Sequence, residues 1–294
     1  MNYKYILSVI LLSSIVYVSC EDTIEVDNGF ETPQFVVDAW INNNVDEEQV
    51  ISLSFSQDYF DNRLPDAVTN ASVTVTNGSS TYTFEHRAMG QYVWTPESGE
   101  SIGDVGDSFT LTVDFDDETY TSTTELNPVP EIDSIRIYFE DQAFGADDGL
   151  YAELYARDIP GKGNTYWVKS FRNDTLLNKP QELNIIYDAT FDAGTDLDGT
   201  TFIRPLRFAI NALDEDGLPR DLNPGEKVAS EIHSISSEAF RFLQIVQEQT
   251  TNGDNGIFTL PIANSRGNVF DSSGNRALGV FNVSAVSKME KTVE

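Results

Sequence analysis

The sequence predicts a mainly β protein, built as two successive antiparallel β domains with one α-helix in the C-terminal half. Three observations predict it. Apolar and polar residues alternate over short segments, β-branched and aromatic residues fill those segments, and turn-forming pairs such as Asn77-Gly78 separate them. With 40% hydrophobic and 11% aromatic residues, general disorder is excluded. Roughly 275 residues beyond an export signal suffice for one or two domains with substantial cores.

Along the chain, residues 1–19 read as a lipoprotein signal peptide. Lys4 supplies the positive start, residues 6–18 a largely apolar run, and Ser19 a small residue before Cys20. That run is too short for a bilayer, which takes ~20 apolar residues, and nothing downstream approaches such a length. Val18-Ser19-Cys20 resembles the end of a bacterial lipobox, although Tyr17 stands where leucine is usual. Cys20 is the chain's only cysteine, so it has no internal disulfide partner, and an attached lipid is the use that fits an exported protein. Each buried methylene contributes ~0.8 kcal/mol, so two or three acyl chains such as palmitate hold a protein almost permanently where one does not. Residues 20–31, with Glu21, Asp22, Glu25 and Asp27, form an acidic tether too polar to start a core.

Residues 32–127 read as the first domain. Segments 34–41 and 49–56 are β-rich, and in the second Ile51, Leu53 and Phe55 alternate against serines, the mark of a half-buried strand. Segments 71–76 and 81–85 flank Asn77-Gly78, whose tolerance of positive φ suits a hairpin. Segments 92–95, 108–115 and 119–126 complete the set, the last two joined at Asp116-Asp117. About seven short strands at this spacing suggest an immunoglobulin-like sandwich, without the disulfide of antibody domains.

Asn127-Pro-Val-Pro-Glu131 marks the boundary, because proline fixes φ and donates nothing to a ladder. The second β domain, residues 132–288, is expected to place strands at 134–140, 150–157, 165–172, 182–187, 202–211 and 227–234. One helix is expected near 236–251: Ser236 caps it, Glu238 suits its positive end, Phe240, Leu243 and Val246 recur at helical spacing, and Asn252-Gly253 stops it. Residues 277–287 are too apolar for an open edge and read as one late strand inserted between earlier ones. Residues 288–294 read as a soluble tail.

Charge narrows the partners. Without Lys4 the chain carries 17 basic and 48 acidic side chains, a net charge of −31. Nucleic acid is not an expected partner, because binding a phosphate backbone requires Lys and Arg to release its counterions. No residue pattern announces an enzyme or a cofactor. His86 and His233 are the only histidines, each inside a strand pattern, and no Gly-x-Ser-x-Gly elbow accompanies them. The calcium candidates are Asp192, Asp196 and Asp198 in one loop and Asp214 and Asp216 in another. Neither loop has EF-hand spacing: with Gly199 or Gly217 as the turn glycine, Gly194 or Ala212 falls at the first ligand position, so exposed acidic turns are expected and no metal. Trp40, Trp94 and Trp167 lie in strand patterns and are expected to pack.

The order and spacing of several segments carry a resemblance over nearly the whole chain beyond the signal. They are the cysteine followed by acids, FVVDAWI, NASVTV, NPVPEIDSI, SISSEAFRFLQ and GNVFDSSGNRALGVFNVSAVS. Together they resemble the lipoproteins of the domain of unknown function 4249 family. The resemblance implies a Bacteroidota outer-membrane lipoprotein, commonly encoded beside a TonB-dependent receptor, and it transfers no catalytic residues. Acids after the lipidated cysteine resemble the signal that sends such lipoproteins to the cell surface, though the lysine often seen there is absent. In the closing motif, Gly267-Asn268-Val269 and Leu278-Gly279-Val280-Phe281 read as structural, with glycines permitting a turn and a close strand approach. Asp22-Thr-Ile24, Asp133-Ser-Ile135 and Asp174-Thr-Leu176 resemble short O-glycan acceptors of this phylum. The expected function is therefore a non-enzymatic accessory, capturing ligand for a TonB-dependent barrel from a lipid-tethered position on the outer membrane. The alternative is a stand-alone surface binding or adhesion module.

Overall fold

Alternation in the N-terminal half produces seven strands: β1 (Phe35–Asn42), β2 (Gln49–Phe55), β3 (Ser72–Thr76), β4 (Thr81–Ala88), β5 (Gln91–Trp94), β6 (Ser108–Phe115) and β7 (Glu118–Glu125). The computed structural model describes residues 32–58, 61–97, 99–191, 196–251 and 265–294. Cys20 and Asp192 lie outside the described residues, as does Asn252-Gly253.

β4 turns the corner between two layers. Its first half ladders with β3 and its second with β5, across a register shift between His86 and Ala88. β1-β2-β5-β4 thus face β3-β6-β7, the strand partition of a constant-type immunoglobulin sandwich. Val37, Ile51, Leu53, Val75, Phe109 and Leu111 fill the space between, all essentially inaccessible to water. Asp116 and Asp117 both take positive φ, 54° and 65°, as a two-residue hairpin turn with the right twist requires.

The expected single strand at 277–287 is instead two. β14 (Leu278–Ser284) runs parallel to β1, from Val36 against Leu278 to Asn42 against Ser284, at the end of the first sheet. After Ala285 the chain crosses to the other sheet as β15 (Val286–Thr292), so the expected tail is a strand paired with β13 (Lys227–Ser234). β14 is apolar on both faces because both are covered: Phe281 and Val283 enter the sandwich core, and Val280 meets the helix described below. Its free edge is not left bare. The Asn268 side chain substitutes for a neighbouring strand, donating to the Phe281 carbonyl and accepting from its N–H, both at 2.8 Å. Phe270 then bridges to Thr121 on β7, closing the sandwich on that side. Gly267 and Gly279 make this closeness possible, since a Cβ on Gly279 would stand 2.0 Å from the Val37 carbonyl oxygen.

The C-terminal half adds β8 (Ile132–Glu140) and β9 (Gly149–Ala156) as an antiparallel ribbon. It also adds a sheet ordered β11-β10-β13-β15 from β10 (Thr165–Arg172) and β11 (Thr175–Leu176), with β12 (Asn184–Tyr187) on the other part of β10. Residues 202–211, expected as a strand, coil into the short helix α1 (Arg204–Phe208). Pro205 sits in its first turn, where the missing N–H costs nothing, and Leu206 and Phe208 are buried while Arg204 and Arg207 point away from that core. The expected helix is α2 (Ser237–Thr250), capped by Ser236, whose hydroxyl oxygen accepts from the Ala239 N–H at 3.1 Å. Its Phe240 and Leu243 pack with Ile185 of β12, Trp167 of β10 and Val280 of β14. Contacts cluster Pro33–Glu294 into one compact unit. Among the described residues no helix is long and apolar enough to cross a membrane.

Candidate functional site

The β8–β9 ribbon presents one face to the core and the other to α1. Alternation puts Ile135 and Ile137 inward and Arg136, Tyr138 and Glu140 outward on β8; on β9, Leu154 goes inward and Tyr151, Glu153 and Tyr155 outward. Register sets Arg136 opposite Glu153. α1 crosses this outer face, and its helical spacing of three brings both Arg204 and Arg207 onto Glu153.

Glu153 is 3% exposed yet fully occupied. The Tyr138 and Tyr155 hydroxyls donate to its two oxygens at 2.8 and 2.7 Å, and Arg204 Nε donates at 2.9 Å. Arg207 Nε lies 3.3 Å from its second oxygen without forming a hydrogen bond. Arg204 also pairs with Glu140. Burial alone would raise the Glu153 carboxyl; donation from Tyr155, Arg204 and Tyr138 outweighs it and holds the carboxyl below its ordinary range. Burial pushes Tyr138 up, and the bond to Glu153 pushes Tyr155 up. None of these three groups is tuned to exchange a proton near neutrality. The Arg136 and Arg207 guanidiniums stand 4.3 and 4.5 Å from the Tyr155 ring centroid. With Ile137 and Lys291 of β15 they line an open depression of about 580 Å³.

The fold and this surface can be set beside known proteins. A family described as a domain of unknown function (DUF4249) matches residues 21–290. The chain belongs to that family. No curated protein and no solved structure matches it. In this DUF4249 chain, the residues singled out from sequence are dispersed rather than gathered. Asp196 pairs with Lys162 at 2.8 Å, Asp198 accepts from the Gly161 N–H, and Asp214 accepts from the N–H groups of Asp216 and Leu218 within its own turn. Among the described residues no group of three His, Cys, Asp or Glu side chains is arranged to hold a metal ion. His86 on β4 leans on the Tyr92 ring. His233 on β13 is buried, with Nε2 3.1 Å from Glu231, whose other oxygen receives Lys288 Nζ at 2.7 Å. Trp40 and Trp167 pack edge to face at 5.1 Å, and Trp94 does the same with Tyr82 at 4.9 Å. Sequence reasoning missed the arginine depression. The available signal was Arg-Ile-Tyr on β8 beside Glu-Leu-Tyr on β9, but the covering arginines lie some fifty residues further on, in a segment read as strand.

Proposed function

We propose that this DUF4249 protein is a lipid-anchored lipoprotein of the outer membrane that captures a ligand for a TonB-dependent transporter and performs no chemistry of its own. The observation that carries this reading is Cys20, the lone cysteine, at the end of an apolar run too short to span a bilayer and at the head of an acidic tether. The β8–β9 depression supports capture over catalysis. Its one buried carboxylate is committed to four partners, and no nucleophile stands beside a base there. Fold alone does not select a role for a sandwich; the lone cysteine behind the apolar run, and the receptor genes that the family resemblance implies beside it, favour this one. Cross-linking in intact cells, then purification of the chain from detergent-solubilised membranes, tests the partnership. A β-barrel receptor recovered in stoichiometric amount supports it. Repeated purification without any barrel overturns it and leaves a stand-alone surface binding module.

A further inference from the structure

The geometry points to the β8–β9–α1 depression as a binding site for a small molecule carrying two or more clustered oxyanion charges, such as a polycarboxylate or a phosphate-bearing compound. This rests on the ligand-capture reading and names the ligand class.

Four cations line the depression, Arg136, Arg204, Arg207 and Lys291, against one lining carboxylate, Glu153. They do so in a chain whose net charge is −30. Structural need accounts for some of them. Arg204 is matched by Glu140 and Glu153, and its place over the ribbon follows from that pairing. It accounts less well for the rest. Arg136 and Lys291 form no ion pair among the described residues, and Arg207 meets a single protein acid there, Glu153, approaching it most closely through Nε at 3.3 Å without a hydrogen bond. A guanidinium fork is the side-chain geometry that grips two oxygens at once, and here two such forks flank one ring.

The arginines are also held in advance. Arg207 lies against both Glu153 and Tyr155, and Arg136 against the same ring, so little side-chain freedom remains to be lost when an anion arrives. Glu153 sets the charge requirement. It sits at the floor and repels, so a single negative charge gains little, whereas a ligand with several oxyanion groups can engage Arg136, Arg207 and Lys291 together. The volume of about 580 Å³ lies within the usual range for small-molecule sites, and the Tyr155 ring supplies apolar surface for the ligand's skeleton.

Calorimetry on the purified full chain in neutral detergent, near neutral pH and at about 50 mM salt, tests this with citrate, pyrophosphate and acetate as probes. Citrate or pyrophosphate is expected to bind one molecule per chain, at least about tenfold more tightly than acetate, a difference of about 1.4 kcal/mol. Tighter citrate assigns carboxylates, and tighter pyrophosphate assigns phosphates. Arg136→Gln and Lys291→Gln, both at exposed positions without ion pairs, are each expected to weaken the better probe about three- to tenfold at unchanged melting temperature. Arg63→Gln, on the first sheet's side of the chain, should leave it unaltered. The inference is overturned if neither polyanion binds the folded protein, if acetate binds as well, or if Arg63→Gln weakens binding as much as Arg136→Gln. A barrel that co-purifies with a chain blind to polyanions removes this inference alone. Polyanion binding without a barrel removes the transporter partnership and leaves the site.

Discussion

Replacing Gly279 by alanine probes the contact that joins the last strand to the first. A methyl group there would lie 2.0 Å from the Val37 carbonyl oxygen and 2.7 Å from its carbon. Ordinary carbon–oxygen contacts begin near ~3.3 Å, so β1 and β14 would have to part by more than ~1 Å. That movement strains a parallel ladder running the length of β14 and opens a core containing Phe281 and Val283. The backbone adds its own cost, because Gly279 has φ +87°, a region that costs an L-residue about 1–3 kcal/mol. Gly274 isolates that cost: its φ is +84° and nothing lies within 4 Å of its would-be Cβ. Gly274→Ala should therefore lose about 1–2 kcal/mol. Gly279→Ala should lose the same plus overpacking of about 1–3 kcal/mol and weakened ladder bonds of about 1 kcal/mol each. The difference of about 3 kcal/mol corresponds to roughly 6–12 °C in melting temperature for a unit of this size. Thermal and urea unfolding of the two variants measure it. If they melt within about 2 °C of each other, the close approach is not what fastens β14 to β1.

Glu153→Ala leaves Arg207 without its acid and two tyrosine hydroxyls without acceptors, so a loss of about 3–5 kcal/mol is expected by urea titration, with Glu153→Gln costing distinctly less. Acid sensitivity should follow from the β13 pair. Burial, opposed by the bond to Glu231, lowers His233 from its ordinary 6.5 to about 4; burial works against Glu231, but His233 and Lys288 bring its carboxyl down to about 2. Both groups take up protons more readily unfolded than folded, so the stability each provides is lost as pH falls, from 6.5 toward 4 for His233 and from 4.5 toward 2 for Glu231. His233→Gln removes the first window, and its deficit relative to wild type should shrink between about pH 7 and pH 4.5 in pH-resolved melts; a constant deficit contradicts the buried neutral imidazole.

Legibility in the sequence tracked how local each determinant is. β1 through β7 were readable because alternation, turn pairs and short loops are all local, and α2 because a capping serine precedes residues at helical spacing. Residues 202–211 misled because Phe202, Leu206, Phe208 and Ile210 have a strand-like spacing, while Pro205 and the need to bury Leu206 beside the ribbon favour a helical turn. β15 was hidden for the opposite reason. Lys288, Glu290 and Lys291 are exposed on an edge strand, so no apolar face announces it, and its existence depends on β13 as a template. The two-sheet division of residues 278–292 hinges on Ala285, which no periodicity reveals. The arginine depression is the least local feature of all. Its carboxylate, its rings and its cations come from β8, β9, α1 and β15, and only the packed ribbon brings them together.

The most direct measurement is metabolic labelling with a clickable palmitate analogue in cells that export the chain, followed by detergent phase partitioning of wild type and Cys20→Ser. The anchored account predicts a labelled wild type in the detergent phase and an unlabelled variant in the aqueous phase. A wild type that takes up no label and stays with the water contradicts it.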